Sequence, residues 1–145
     1  MSYSLDVNLL LYASDTSSPW HDRARSFLVG RVSDPDLLCL SWLTLLGYQR
    51  MATHPGIFAA PLTPANAWQN VRSLLGLPRV RVVGEEPTFA EDYESATSRF
   101  AVRGNLVPDA HFAVILREHG VKRLYSTDTD FRKFDFLDVV DPLKE

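Results

Sequence analysis

A single cysteine, Cys39, is all the thiol in a chain of 145 residues. An internal disulfide and a metal site built of thiolates are both excluded, because each needs more than one sulfur, and a reducing compartment suits such a chain. Long apolar runs are also missing: nothing approaches the ~20 uninterrupted residues that cross a bilayer. The apolar stretch near the start has no basic residue before it and is interrupted by Asp6, unlike a secretory signal. A cytoplasmic location without membrane contact is expected. Excess positive charge is absent as well. The net charge is −3, which argues against gripping long nucleic acid by bulk electrostatics, so any nucleic-acid contact must be local. Twelve of the fifteen basic residues are Arg, a bias that a GC-rich genome explains without invoking phosphate recognition. Internal repeats, low-complexity segments and charge blocks are lacking too, so arrays and linkers are set aside.

What is present is an ordinary globular composition, 46% apolar and 23% charged, enough to bury a core within one domain over residues 1–145. Tyr3 to Val7 reads as a short buried strand, with Asn8 to Ala13 continuing into a helix. Ser18-Pro19 offers a cap and a proline for a helix to about Val32. Leu37 to Leu40 reads as a second strand, followed by a helix capped by Ser41 and ended at His54-Pro55-Gly56. Thr63-Pro64 opens another helix that Gly76 closes, and Val80 to Val83 is a third strand. Thr88 with Glu91 has the form of a capping box for a helix reaching Phe100, with Gly104 beyond. Pro108 can start a helix that Gly120 ends, Arg123 to Ser126 is a fourth strand, and Val139-Val140 marks a possible fifth. Strands separated by helices, and too apolar to face water, give an α/β fold: a mainly parallel sheet of four to five strands in three layers with flanking helices.

Sites in such sheets lie outside the carboxyl ends of the strands. The polar residues placed there are mostly aspartates. Asp6 ends the first strand, Asp128 and Asp130 follow the fourth, and Asp109 lies in the first turn of the helix between the third and fourth strands. Two unit charges ~5 Å apart repel by roughly 3 kcal/mol at an effective dielectric of ~20, so a carboxylate cluster calls for a cation. Oxygen ligands with water suit Mg²⁺ or Mn²⁺. Each acid also has a structural reading. Asp109 complements a helix dipole, Asp128 suits a turn, and Asp130 suits a cap on the turn from Phe131 to Phe134. Asp6 is hardest to explain away, since a buried carboxylate needs a partner. The four histidines, His21, His54, His111 and His119, are spaced unlike a metal site and are expected at helix surfaces. Trp20, Trp42 and Trp68 fall on apolar helix faces and are expected in the core rather than against bases.

Taken in order, Asp6-Val7-Asn8 with its leucine run, Asn105-Leu106-Val107-Pro108-Asp109-Ala110-His111, Ser126-Thr127-Asp128-Thr129-Asp130-Phe131 and Asp141-Pro142-Leu143 resemble a PIN domain of the VapC toxin type over nearly the whole chain. The segment from Ser41-Trp42 through Leu46-Gly47 and Arg50-Met51-Ala52-Thr53 is similar to a subset of those toxins. The resemblance implies a Mg²⁺- or Mn²⁺-dependent endoribonuclease in which Asp6, Asp109 and Asp128 are metal ligands and Asp130 is an accessory catalytic carboxylate. Ser126 stands where the family often has Thr, and Asn8 is placed to orient Asp6 or a metal-bound water. One departure is plain: where most members carry Glu three residues before an Arg, this chain has Gly47 before Arg50. The nearest spare acid, Asp15, reads as a solvated cap.

The resemblance further implies an RNA substrate such as tRNA, a VapB-like antitoxin and a toxin homodimer. Two other readings stay open on the sequence. Gly47 suits a PIN-like interaction module that has lost activity, and an aspartate after the first strand also suits a haloacid-dehalogenase-like phosphatase, although Asn8 replaces that family's second aspartate.

Overall fold

The computed structural model describes residues 1–144, and its core is a sheet whose β-branched and leucine-rich strands are covered on both faces. The strands are β1 (Ser2–Leu5), β2 (Leu37–Ser41), β3 (Val80–Val83), β4 (Arg123–Tyr125) and β5 (Asp138–Val140). Their order across the sheet is β3-β2-β1-β4-β5, and every neighbouring pair is parallel. The helices are α1 (Val7–Ser14), α2 (His21–Val29), α3 (Trp42–Ala52), α4 (Pro64–Leu75), α5 (Phe89–Ala96) and α6 (Leu106–Glu118).

Alternation along the strands divides the core into two layers. Tyr3, Leu5, Leu38 and Leu40 pack with Leu9, Leu45, Tyr48 and Val71 from the side of α1 to α4. Cys39, Val83 and Leu124 pack with Ala110, Ala113 and Leu116 of α6 on the other side. This is the expected three-layer parallel α/β architecture. Ser4, buried within the sheet, is satisfied by donating from Oγ to the Cys39 carbonyl at 2.6 Å. Among the described residues no helix is long and apolar enough to cross a membrane.

Local chemistry sets most boundaries. Ser41 accepts from the Leu43 N–H at 3.1 Å and Thr63 from the Asn66 N–H at 3.1 Å, with Pro64 opening α4, so both caps act as expected. Gly120, two residues beyond α6, has φ of 70°, a left-handed conformation that glycine adopts without steric cost.

Four local expectations change. Ser18-Pro19 does not begin α2: the Ser18 Oγ accepts from Trp20 N–H in a preceding turn, and the helix starts at His21. Thr88 and Glu91 form no capping box, because Thr88 Oγ1 donates to Asp92 Oδ2 at 2.9 Å, and α5 ends at Ala96 rather than Phe100. Helix α6 starts at Leu106, two residues before Pro108, because the first-turn amides have no intrahelical partner and proline fits among them. The short 3₁₀ turn Thr129–Lys133 is capped by Asp128, whose Oδ1 accepts from the Asp130 N–H at 2.9 Å, whereas Asp130 itself stands 3.9 Å from Lys133 Nζ.

Candidate metal centre

The strand order puts β1 and β4 side by side in the middle of the sheet, with Leu5 opposite Tyr125. Both strands therefore leave the sheet at its carboxyl end, and Asp6 and Ser126 leave it together. Asp6 N–H donates to the Tyr125 carbonyl at 2.9 Å, after which α1 begins. The Asp6 side chain serves as the N-cap of α1, accepting from Val7 N–H at 2.7 Å. Ser126, almost fully buried, donates from Oγ to Asp6 Oδ2 at 2.7 Å and accepts from Asp128 N–H at 2.9 Å. One hydroxyl thus ties the acid after β1 to the loop after β4. Asn8 lies in the first turn of α1, but the hydrogen bonds to the Asp6 carboxylate come from Val7 and Ser126.

Helix α6 brings in the next group. Carboxylate oxygens of Asp109, Asp128 and Asp130 lie within 4.8 Å of one another, and Asp6 stands beside this trio, joined to it through Ser126. The four acids named from the sequence therefore meet at one end of the sheet. Asp15 does not: it closes α1 and accepts from Ser17 N–H and Oγ at 3.1 and 2.7 Å, the solvated cap expected of it.

Crowding of negative charge shows in the acidities. Asp109 is pushed up to about 6, first by burial and then by Asp128, Asp6 and Asp130. Burial likewise raises Asp6 above the ordinary carboxylate range, against the hydrogen bonds from Ser126 and Val7 that favour its anion. An all-oxygen donor set that resists its own ionisation fits a hard divalent cation, and the Asp109, Asp128 and Asp130 oxygens are close enough to share one with water completing its shell.

The cleft beside the cluster is lined by Asp6, Asp109, Thr44, Gly47, Arg50 and His111 among others. Gly47 of α3 is thus at the site, as the sequence implied. A Cβ built there would meet only Met51 Cε at 3.8 Å and Val7 Cγ2 at 4.0 Å, ordinary contacts that leave the position open.

Sequence reasoning missed three features of this region. His111, expected on a helix surface, lines the cleft half-buried, with Nε2 3.1 Å from Glu85 Oε2. Glu85 follows the carboxyl end of β3, so the rule that located the aspartates could have found it. Its carboxyl lies below the ordinary range because its own backbone N–H and His111 hydrogen-bond to it. The third feature is the tryptophans: Trp20, Trp42 and Trp68 are 41, 42 and 39% exposed rather than core. Trp20 precedes α2 instead of packing within it, and Trp42 is the first residue of α3, where a side chain leaning towards the N-terminus has no earlier turn to cover. Trp68 flanks the buried Ala67 and Val71 of α4.

A family profile described as PIN domain matches residues 3–137. Ribonuclease VapC48 of Mycobacterium tuberculosis is 40% identical over 142 residues, 98% of this chain and 98% of that protein. Ribonuclease VapC33 of the same organism is 33% identical over 140 residues, 97% of each. Among solved structures, that of VapBC2 from Rickettsia felis bound to a DNA fragment from its promoter superposes with a TM-score of 0.68 at 14% identity, over 97% of this chain and 98% of that one.

Proposed function

Since the chain belongs to the PIN-domain family of VapC type, we propose that residues 1–145 act as one PIN domain, the endoribonuclease toxin of a toxin–antitoxin pair, and that cleavage depends on Mg²⁺ or Mn²⁺. The observation that carries this reading is the convergence of Asp109, Asp128 and Asp130 within 4.8 Å beside the buried Asp6, four anions from three chain regions. The phosphatase reading also expects acids after the first and a late strand, but Asn8 stands where it needs a second aspartate, and the curated relatives are ribonucleases.

In this reading Asp6, Asp109 and Asp128 hold the cation and Asp130 assists from the more exposed rim. A bound Mg²⁺ or Mn²⁺ would supply an acidified water and neutralise charge developing on the phosphodiester. The residues of the chain do the rest. Ser126 fixes the Asp6 and Asp128 segments relative to each other, the Asp6 cap anchors the start of α1, and the apolar walls of the cleft (Val7, Met51, Phe112) limit water around the charges. Repulsion among so many carboxylates, which together with burial lifts Asp109 to about 6, is itself a reason for metal dependence, because a bound cation would favour the ionised forms.

The substrate in this reading is structured RNA such as tRNA, the location is the cytoplasm, and the partners are a VapB-like antitoxin and a second toxin copy. The antitoxin is supported by the likeness to a toxin–antitoxin complex, VapBC2. The test is incubation of purified chain with tRNA in Mn²⁺ or Mg²⁺, in excess EDTA, and as the Asp6→Asn variant. Cleavage only by the metal-supplied parent chain is expected. Undiminished cleavage in EDTA would sink the metal assignment, and absence of cleavage under all conditions would favour the inactive-module reading that Gly47 motivates.

A further inference from the structure

Trp42 and Trp68 lie in a near-parallel, offset stack on the surface of the protein, with ring centroids 6.3 Å apart and planes within 11° of parallel. Each indole keeps about two-fifths of its surface in water. Stacking two large rings and leaving both exposed does little for the core, since Thr44, Leu45, Tyr48 and Ala52 already form the buried stripe of α3. The pair presents near-parallel aromatic rings to solvent as a platform.

What lies next to the platform gives it a use. Trp42 lines a groove of about 550 Å³ with Leu43, Leu46, Gly47, Arg50 and Glu85, within the ~300–1,000 Å³ of sites that hold one small ligand. Leu43, Gly47 and Arg50 also line the cleft containing Asp6 and Asp109. Groove and carboxylate cleft are therefore continuous, with Arg50 at their junction. Arg50 is exposed, and its guanidinium makes no hydrogen bond or ion pair among the described residues. On a chain of net charge −3, a cation without a partner beside a cluster of carboxylates is placed for an anion that comes and goes.

From these observations we infer that the groove along α3 seats one unpaired nucleotide of the RNA beside the scissile phosphate, its base stacked on Trp42 and a neighbouring phosphate held by Arg50. The inference rests on the nuclease reading and adds to it where the substrate lies. Aromatic stacking suits single-stranded nucleic acid, whose bases are free to leave their neighbours. Trp68 acts through Trp42 as a positioning residue that keeps the platform ring in place. Glu85, engaged by His111, leaves this end of the groove an acceptor for N–H groups of a base edge rather than a phosphate site. A second copy of the chain is the competing occupant of so apolar a surface; the unpartnered Arg50 and the continuity with the acidic cleft favour RNA.

The test uses the full chain carrying Asp6→Asn to prevent turnover, a fluorescein-labelled 12-nucleotide single-stranded RNA of mixed sequence, and anisotropy. Adding Trp42→Ala is expected to weaken binding about 5- to 100-fold, with Trp42→Phe restoring most of it. Adding Arg50→Ala is expected to weaken binding and flatten the dependence of log Kd on log salt by about 0.7, while Arg50→Lys keeps the slope. In the otherwise intact chain, Trp42→Ala should raise KM on the same RNA and leave kcat near its starting value. Parent-like affinity and KM in Trp42→Ala, or a loss that tracks conversion of a dimer to monomer in sedimentation velocity, overturns the inference in favour of no ligand or a subunit interface. Absence of cleavage by the intact chain in Mn²⁺, with the Trp42 effect on binding preserved, overturns the nuclease reading and leaves the groove as an RNA site.

Discussion

Ser126 Oγ bridges Asp6 and Asp128, 2.7 Å from the carboxylate of one and 2.9 Å from the backbone nitrogen of the other. Its removal should be felt twice. Ser126→Ala leaves the buried Asp6 oxygen without its donor, at a cost of about 1–3 kcal/mol in unfolding free energy, and should loosen the proposed metal site, lowering Mn²⁺ affinity by roughly 10- to 100-fold. Ser126→Thr keeps the hydroxyl and should retain most of both. Urea unfolding and calorimetric Mn²⁺ titration check the pair, and a parent-like Ser126→Ala in both would show that the bridge does not organise the site.

Loss of charge at the proposed ligands should be more severe than loss of the bridge. Asp6→Asn and Asp109→Asn preserve shape, and at position 6 the amide oxygen can still accept from Val7 N–H while the amide NH2 donates to Ser126 Oγ, so the fold should survive. Activity on RNA is expected to fall by ~100-fold or more in each, with Mn²⁺ binding lost in parallel. Circular dichroism, cleavage assays and growth of host cells expressing the variants are the measurements. Cleavage at the parent rate by either folded variant would remove that residue from the site.

The acidity of Asp109 gives the metal-free protein an unusual response to pH. Its folded-state value of about 6 lies above the ordinary aspartate value, ~4 in an unfolded chain. Between those values the folded form keeps a proton that the unfolded form has released. Stability contributed by this group is therefore fully present below about pH 4 and lost as pH rises through about 6. A divalent cation binds the ionised form and should move the loss to lower pH. Thermal unfolding between about pH 4.5 and 8 should show the trend without metal, weaken it with Mn²⁺, and flatten it in Asp109→Asn. Equal pH slopes for parent and variant would assign the dependence to other groups.

Gly47 offers a gain rather than a loss. Its Cβ position is free of close contacts and faces the same cleft as Asp6 and Asp109, so Gly47→Glu should fold, with some relief of the ~1 kcal/mol that glycine costs inside a helix. Its carboxylate should keep or raise Mn²⁺ affinity. Asp15→Asn, altering a surface cap engaged with Ser17, should do little. If titration showed Asp15→Asn as damaging as Asp6→Asn, a ligand set built on Asp6, Asp109 and Asp128 would be incomplete.

Much of this was legible before any coordinates. Strand and helix order followed from apolar runs interrupted by Ser-Trp, Thr-Pro and Gly signals, and caps such as Ser41 and Thr63 act over two or three residues, within reach of local reading. Asp6 stood out because a carboxylate beside a fully apolar strand needs a reason. Errors arose where two local options compete for one group: Thr88 chose the Asp92 carboxylate over the amide of a capping box, and Asp128 rather than Asp130 took the cap of the 3₁₀ turn.

The sequence by itself determined the class of fold and the kind of chemistry, since hydrophobic period, turn residues and the supply of carboxylates are properties of the chain. It could not determine that β4 lies against β1 while β3 lies two strands away at the edge, because strand order is settled by how the layers close over a shared core. That order is what sets Ser126 against Asp6 across 120 positions of sequence and places His111 against Glu85. The fate of the tryptophans was decided the same way. Helical spacing gives the side of a helix on which Trp42 and Trp68 lie, but exposure depends on where the neighbouring helix stops, and here α3 and α4 meet with both rings at the rim.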